Sequence, residues 1–399
     1  LGDVSWFKPA KYVGVWWSLH LDTETWATGP RHGATTANTK RYIDFAAANG
    51  FRGVLVEGWN PGWDGDWFAN GWDFDFTRPV PGFDLEALAA YAAGKGVHLV
   101  GHHETACAVS HYERQLPAAL DLYARHGVDV VKTGYVCDAG DIQRQDQAGG
   151  PVLREWHEGQ WMSRHHQRVV EEAARRRIAV NSHEPIKDTG LRRTWPNWVS
   201  REGARGMEYN AWGQPPNPPG HEATLVFTRM LGGPMDFTPG IVSLKGRGGQ
   251  PIQSTLAKQL ALYVVINSPI QMVADLPEHY AQHPQAFQFI KDVAVDWEQS
   301  RVLNGEVGQY ATIVRQARGS GEWFLGSVGG DQARALQVSL SFLDPGRDYR
   351  AEIYRDGAHA HWQSAPFDFE HQVLQVRSTD TLDLHLAAGG GQAIRFVPM

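Results

Sequence analysis

The chain has 399 residues, 42% hydrophobic and 20% charged, with a formal net charge of -7, an ordinary globular composition. That mild acidity, without any basic tract, excludes a nucleic-acid partner. No apolar run approaches the ~20 residues of a membrane span, because the longest, residues 260–274, is broken by Asn267, Ser268 and Pro269.

Through residue 300 the sequence alternates short apolar runs with amphipathic segments. The runs predict strands at 12–17, 53–59, 98–104, 128–134, 178–184, 204–209, 235–240 and 269–274. Helical patterns lie between them at 35–50, 84–96, 155–177 and 254–268. Thr35 and Asp84 stand where helix caps belong, and the third helix ends in a basic turn, as the helix dipole prefers. Strict strand–helix alternation predicts a (β/α)8 barrel over residues 1–300. A doubly wound sheet would want a glycine-rich phosphate turn after the first strand, and WSLHLDTETW is not one. From residue 301 to 399 the period becomes two, with strands at 308–317, 322–330, 335–343, 348–357 and 392–399. This predicts a C-terminal antiparallel β-sandwich domain.

Barrel enzymes place their chemistry where the strands end. Here the strand ends carry His20; Glu57; His102, His103 and Glu104; Lys132; Asn181, His183 and Glu184; Glu208, with Glu202 just before; and Asp236. A single such residue is commonly structural. So many carboxylates in one mouth cost several kcal/mol each unless paired or bound to a cation. Glu104, Glu184, Glu202 and Glu208, without a cysteine-based ligand set, point to a hard ion, Ca²⁺, over Zn²⁺. The histidines offer a zinc alternative. Many of the 16 tryptophans, Trp59, Trp63 and Trp67 among them, lie in polar, glycine-rich stretches, a setting that suits sugars. Acids beside such rings suggest glycoside hydrolysis, which needs two carboxyl roles.

Two cysteines occur, Cys107 and Cys137, each after a strand end. One bridge can form, but two partly buried free thiols are the preferred reading. The sequence begins at Leu1 and shows no signal peptide, which reads as a processed or cropped product.

The motifs YVGVWW, GVLVEGWN, GHHET, VKTGY, NSHEP, EGARGMEY and GGPMDFTPGI, in this order, resemble glycoside hydrolase family 97, in particular its inverting α-glucosidase branch. The resemblance implies a (β/α)8 barrel, a C-terminal β-domain and bound Ca²⁺. It implies Glu208 as general acid, and Glu104 and Glu184 as the groups that activate water. Glu184, Glu202 and Glu208 would hold the ion. Glu57, Trp63, His102, Lys132 and His183 would contact the terminal sugar. In the family's retaining branch, which resembles α-galactosidases, the fourth strand reads Lys-x-Asp and that Asp is the nucleophile. Here the slot is Gly134, expected to leave a gap for water. Inversion then requires acid and base about 6.5 to 9.5 Å apart, against about 5 to 5.5 Å for retention. The family also carries an N-terminal β-sandwich with a further calcium-contacting Glu, which this sequence does not contain. The expected partner is an oligosaccharide, in a periplasmic or secreted setting. A retaining α-galactosidase and a non-catalytic sugar-binding protein are the alternatives.

Overall fold

Strand β1 (Ala10–Val15) enters an apolar interior and is followed by helix α1 (Thr36–Ala48), whose N-cap Thr35 accepts from the Asn38 amide. The computed structural model describes residues 3–399. The alternation continues with β2 (Gly53–Val56), α2 (Leu85–Gly94, capped by Asp84), β3 (His98–Glu104), α3 (Val109–Arg125), β4 (Val130–Gly134), α4 (Gln160–Arg175), β5 (Ala179–Ser182) and β6 (Trp198–Arg201). These strands lie parallel, each beside its predecessor, as crossover helices require.

By packing, the chain divides into two compact units, Leu1–Ala204 with Pro234–Asp236, and Arg205–Gly233 with Phe237–Met399. All six strands above belong to the first. The predicted sixth strand, 204–209, is displaced upstream to β6, because Gly203 turns the chain at a φ of 68°. The predicted seventh is reduced to one parallel bridge between Arg201 and Met235, since Thr238 and Gly240 both adopt positive φ. Helix α3 has a strong apolar face that the sequence reading passed over.

In the second unit, helix α5 (Leu256–Val265) is buried on every side. It precedes β7 (Ile270–Met272) and an antiparallel domain. That domain has a six-stranded sheet, in spatial order β8 (Trp297–Glu306), β9 (Tyr310–Ala317), β10 (Trp323–Gly329), β15 (Gly391–Pro398), β12 (Tyr349–Asp356) and β13 (Phe369–Val376). A hairpin-like pair, β11 (Arg334–Ser339) with β14 (Thr381–Leu386), faces it. Trp323, Leu325, Phe342, Leu384 and Phe396 fill the space between. Gly391 lets α5 approach the sheet, since a Cβ there would lie 2.6 Å from the Lys258 Cα.

Candidate active site

The first unit assembles a cluster of largely buried polar side chains at the ends of β2 to β6. At its base the Glu57 carboxylate receives the Lys132 ammonium at 2.9 Å and the Trp26 indole N–H at 2.8 Å, with His102 Nε2 at 3.3 Å. Burial opposes the Glu57 charge, but Lys132, then His102 and His20, more than offset it and hold this carboxyl far below the usual range. Burial pushes His102 down to about 4, so its ring is neutral. Its Nδ1 is buried with no protein hydrogen-bond partner among the described residues, so it is placed to bond a polar group of a ligand. Trp63 stacks on the same ring, centroids 5.8 Å apart. Glu57, Trp63, His102 and Lys132 are therefore brought together. Trp26 was missed by sequence reasoning, its only signal being a tryptophan in a polar loop.

The register of β3 on β4 pairs His102 with Lys132 and Glu104 with Gly134. Paired residues of neighbouring strands send side chains to the same face, so Glu104 leans into the space that a side chain at 134 would take. A Cβ on Gly134 would lie 1.9 Å from Glu104 Oε2 and 3.4 Å from Glu184 Oε2. The gap expected at Gly134 is thus filled by a carboxyl group of the protein itself. Glu104 Oε1 accepts from the Ala106 amide at 2.7 Å and the Val136 amide at 3.0 Å. Glu184 Oε2 accepts from the Tyr135 amide at 2.8 Å, while its own backbone sits at a φ of 41°, an uncommon conformation for a non-glycine residue. Burial raises both carboxyls above their ordinary range, and the charge of Glu104 adds to the effect on Glu184.

His183 donates through Nε2 to Asp236 Oδ2 at 2.9 Å, the oxygen that also takes the Asn181 amide at 2.6 Å and the Tyr12 hydroxyl at 2.9 Å. Burial, and then Lys132, lower His183, leaving it neutral. Its Nδ1 lone pair then faces Glu202 Oε2 at 3.5 Å. That oxygen also accepts from the Glu184 amide at 3.4 Å, and a nitrogen lone pair beside a carboxylate is a pair of donors that one cation can share. The remaining acids present oxygen donors, and both sulfurs are in a disulfide, so the donor set fits a hard cation. Glu208, in the second unit, is half-buried and precedes the short helix Tyr209–Trp212, its side chain making no capping bond there.

The reading of Cys107 and Cys137 as free thiols is corrected. They form a disulfide, Cα atoms 6.0 Å apart, because parallel β3 and β4 deliver their following loops side by side, within bridging range.

Family models agree with this architecture: "Glycoside hydrolase 97" matches residues 16–204 and "Glycosyl-hydrolase 97 C-terminal, oligomerisation" matches residues 296–397. The chain belongs to glycoside hydrolase family 97. Its fold is a (β/α)8 barrel followed by a C-terminal antiparallel β-domain. A family 97 enzyme from Pseudoalteromonas sp. strain K8, solved with acarbose, is 54% identical with a TM-score of 0.98, over 100% of this chain and 61% of that one. A variant of that enzyme was solved with panose. A retaining alpha-galactosidase from Bacteroides thetaiotaomicron is 31% identical over 99% of this chain and 55% of its own length. A probable retaining alpha-galactosidase from Streptomyces bingchenggensis is 29% identical, over 98% of this chain and 53% of its own. The chain thus spans about half the length of these curated relatives. Among the described residues no helix is long and apolar enough to cross a membrane.

Proposed function

We propose that this family 97 chain serves a calcium-dependent inverting α-glucosidase that removes glucose from the non-reducing end of α-linked oligosaccharides. One observation carries the reading. Where a retaining relative needs a nucleophile on the fourth strand, Gly134 offers no side chain, and the carboxyl of Glu104 lies over it.

In this mechanism the Glu57–Lys132–His102 cluster binds hydroxyls of the terminal sugar, against the Trp63 ring. Glu104 and Glu184 hold one water between them and take its proton as its oxygen attacks the anomeric carbon. The glycosidic oxygen leaves with a proton from Glu208, so an α-glucoside yields β-glucose. Glu184, Glu202 and Glu208 would hold Ca²⁺, which orients carboxylates and favours their charged form. Three oxygens are few for calcium, so water or a further protein ligand would complete the set.

The curated relatives at 31% and 29% identity favour a second reading, retention by an α-galactosidase-type enzyme. Proton NMR of the first-formed product separates the two. Initial β-glucose from an α-glucoside supports inversion. Initial α-anomer, or a trapped glycosyl–protein adduct, overturns it. A periplasmic or secreted location is in keeping with the disulfide.

A further inference from the structure

Two backbone amides meet on one oxygen of Glu104. They belong to two different loops, Ala106 after β3 and Val136 after β4, at 2.7 and 3.0 Å. Each of these residues is followed directly by a cysteine, and Cys107 and Cys137 are bonded to each other. The bridge therefore closes a ring around the carboxylate, one residue beyond each amide.

The turn on the β3 side cannot hold this shape by local preference. Ala106 and Cys107 are consecutive non-glycine residues at φ of 39° and 60°, a region that costs of order 1–3 kcal/mol per residue and persists only when its surroundings impose it. What imposes it is a small set of contacts. Thr105 bonds Gly134 O through its amide at 3.0 Å and its hydroxyl at 2.9 Å. The Gln143 amide donates to Cys107 O at 2.8 Å. On the β4 side, Tyr135 is anchored by its hydroxyl to His165 at 2.9 Å, and His165 to Glu113 at 2.8 Å. That anchor stops at residue 135. The amide of Val136 lies beyond it, and the next covalent restraint along the chain is the bridge.

We propose that the Cys107–Cys137 disulfide is a positioning element for catalysis: it braces the two-amide cradle that fixes Glu104 for water activation. The proposal rests on the reading of Glu104 as a water-activating group. It assigns the bridge a role in turnover distinct from sugar binding, because Glu57, Lys132, His102 and Trp63 make none of the contacts named above. Reduction by a dithiol supplies two electrons and two protons, giving two thiols and freeing both loops.

The test compares native enzyme, enzyme reduced with dithiothreitol and alkylated, the Cys107→Ser/Cys137→Ser variant, and Glu104→Gln. The expected result is a loss of about 10- to 100-fold in kcat on breaking the bridge, as for displacement of a catalytic group by about 1 Å. KM and the circular dichroism spectrum should stay unchanged. Reoxidation of the reduced, unalkylated enzyme should restore kcat, and the serine variant should be insensitive to dithiothreitol. If the variant does not fold, the reduced native enzyme, with two alkylated cysteines counted by mass, supplies the same readout. An unchanged kcat with the bridge open, or a loss of kcat and KM together with unfolding, overturns the proposal. An active Glu104→Gln overturns instead the reading on which it rests.

Discussion

A methyl group at position 134 should disable this enzyme without unfolding it. In Gly134→Ala the new Cβ would meet Glu104 Oε2 at 1.9 Å, where real Cβ contacts essentially never fall below 3.0 Å. The carboxyl must therefore retreat by at least about 1 Å, the displacement at which a misplaced catalytic group loses on the order of 100-fold in rate. Such a movement pulls against the two amide bonds, at 2.7 and 3.0 Å, on its other oxygen. A 100-fold loss is about 2.7 kcal/mol of barrier. Gly134 does not have positive φ, so alanine adds no backbone strain. The three atoms nearest that Cβ belong to Glu104 and Glu184, none to the cluster around Glu57 that is proposed to bind sugar. Steady-state kinetics on an α-glucoside should show kcat down about 100-fold with KM within about twofold, at an unaltered melting temperature. A kcat within threefold of native would refute the role given to Glu104. A matching rise in KM would move position 134 into sugar binding.

Three further outcomes are expected. Lys132→Met strands the buried Glu57 charge and should cost about 3–5 kcal/mol of stability in denaturant melts, whereas a neutral effect would mean that the pair contributes little to folding. Glu208→Gln should abolish most turnover while isothermal titration calorimetry finds the oligosaccharide still bound; retained turnover would disqualify it as the acid. Binding of Ca²⁺ at neutral pH should release protons and tighten as pH rises. The raised carboxyl of Glu184 is protonated below its elevated pKa, and it must give up that proton to coordinate. Titration in two buffers of different ionisation enthalpy measures this, and equal heats in both would contradict it.

The (β/α)8 class was legible because buried parallel strands are short apolar runs, and each run from 98–104 to 178–184 reappears as a strand at nearly the same place. It failed at 204–209, where Gly203 bends the chain before the run can extend. The C-terminal strands at 310–317 and 323–329 followed from short apolar runs between turn signals, and both prove buried along nearly their whole length. Exposed edge strands such as Trp297–Glu306 were missed because few of their residues turn inward.

The sequence by itself determined which chemistry the cluster could hold. Acids, histidines and a lysine at strand ends are encoded one residue at a time, and beside the Lys-x-Asp that the resemblance supplies, the missing carboxylate at Gly134 is visible in a single letter. Only the tertiary structure decided what replaced it. That answer depends on the register of β3 against β4, which sets Glu104 beside Gly134, and on backbone amides that have no signature in side-chain identity. The pairing of Cys107 with Cys137 belongs to the same class. Thirty residues apart in sequence, they meet because parallel strands end at one rim and deliver both loops there.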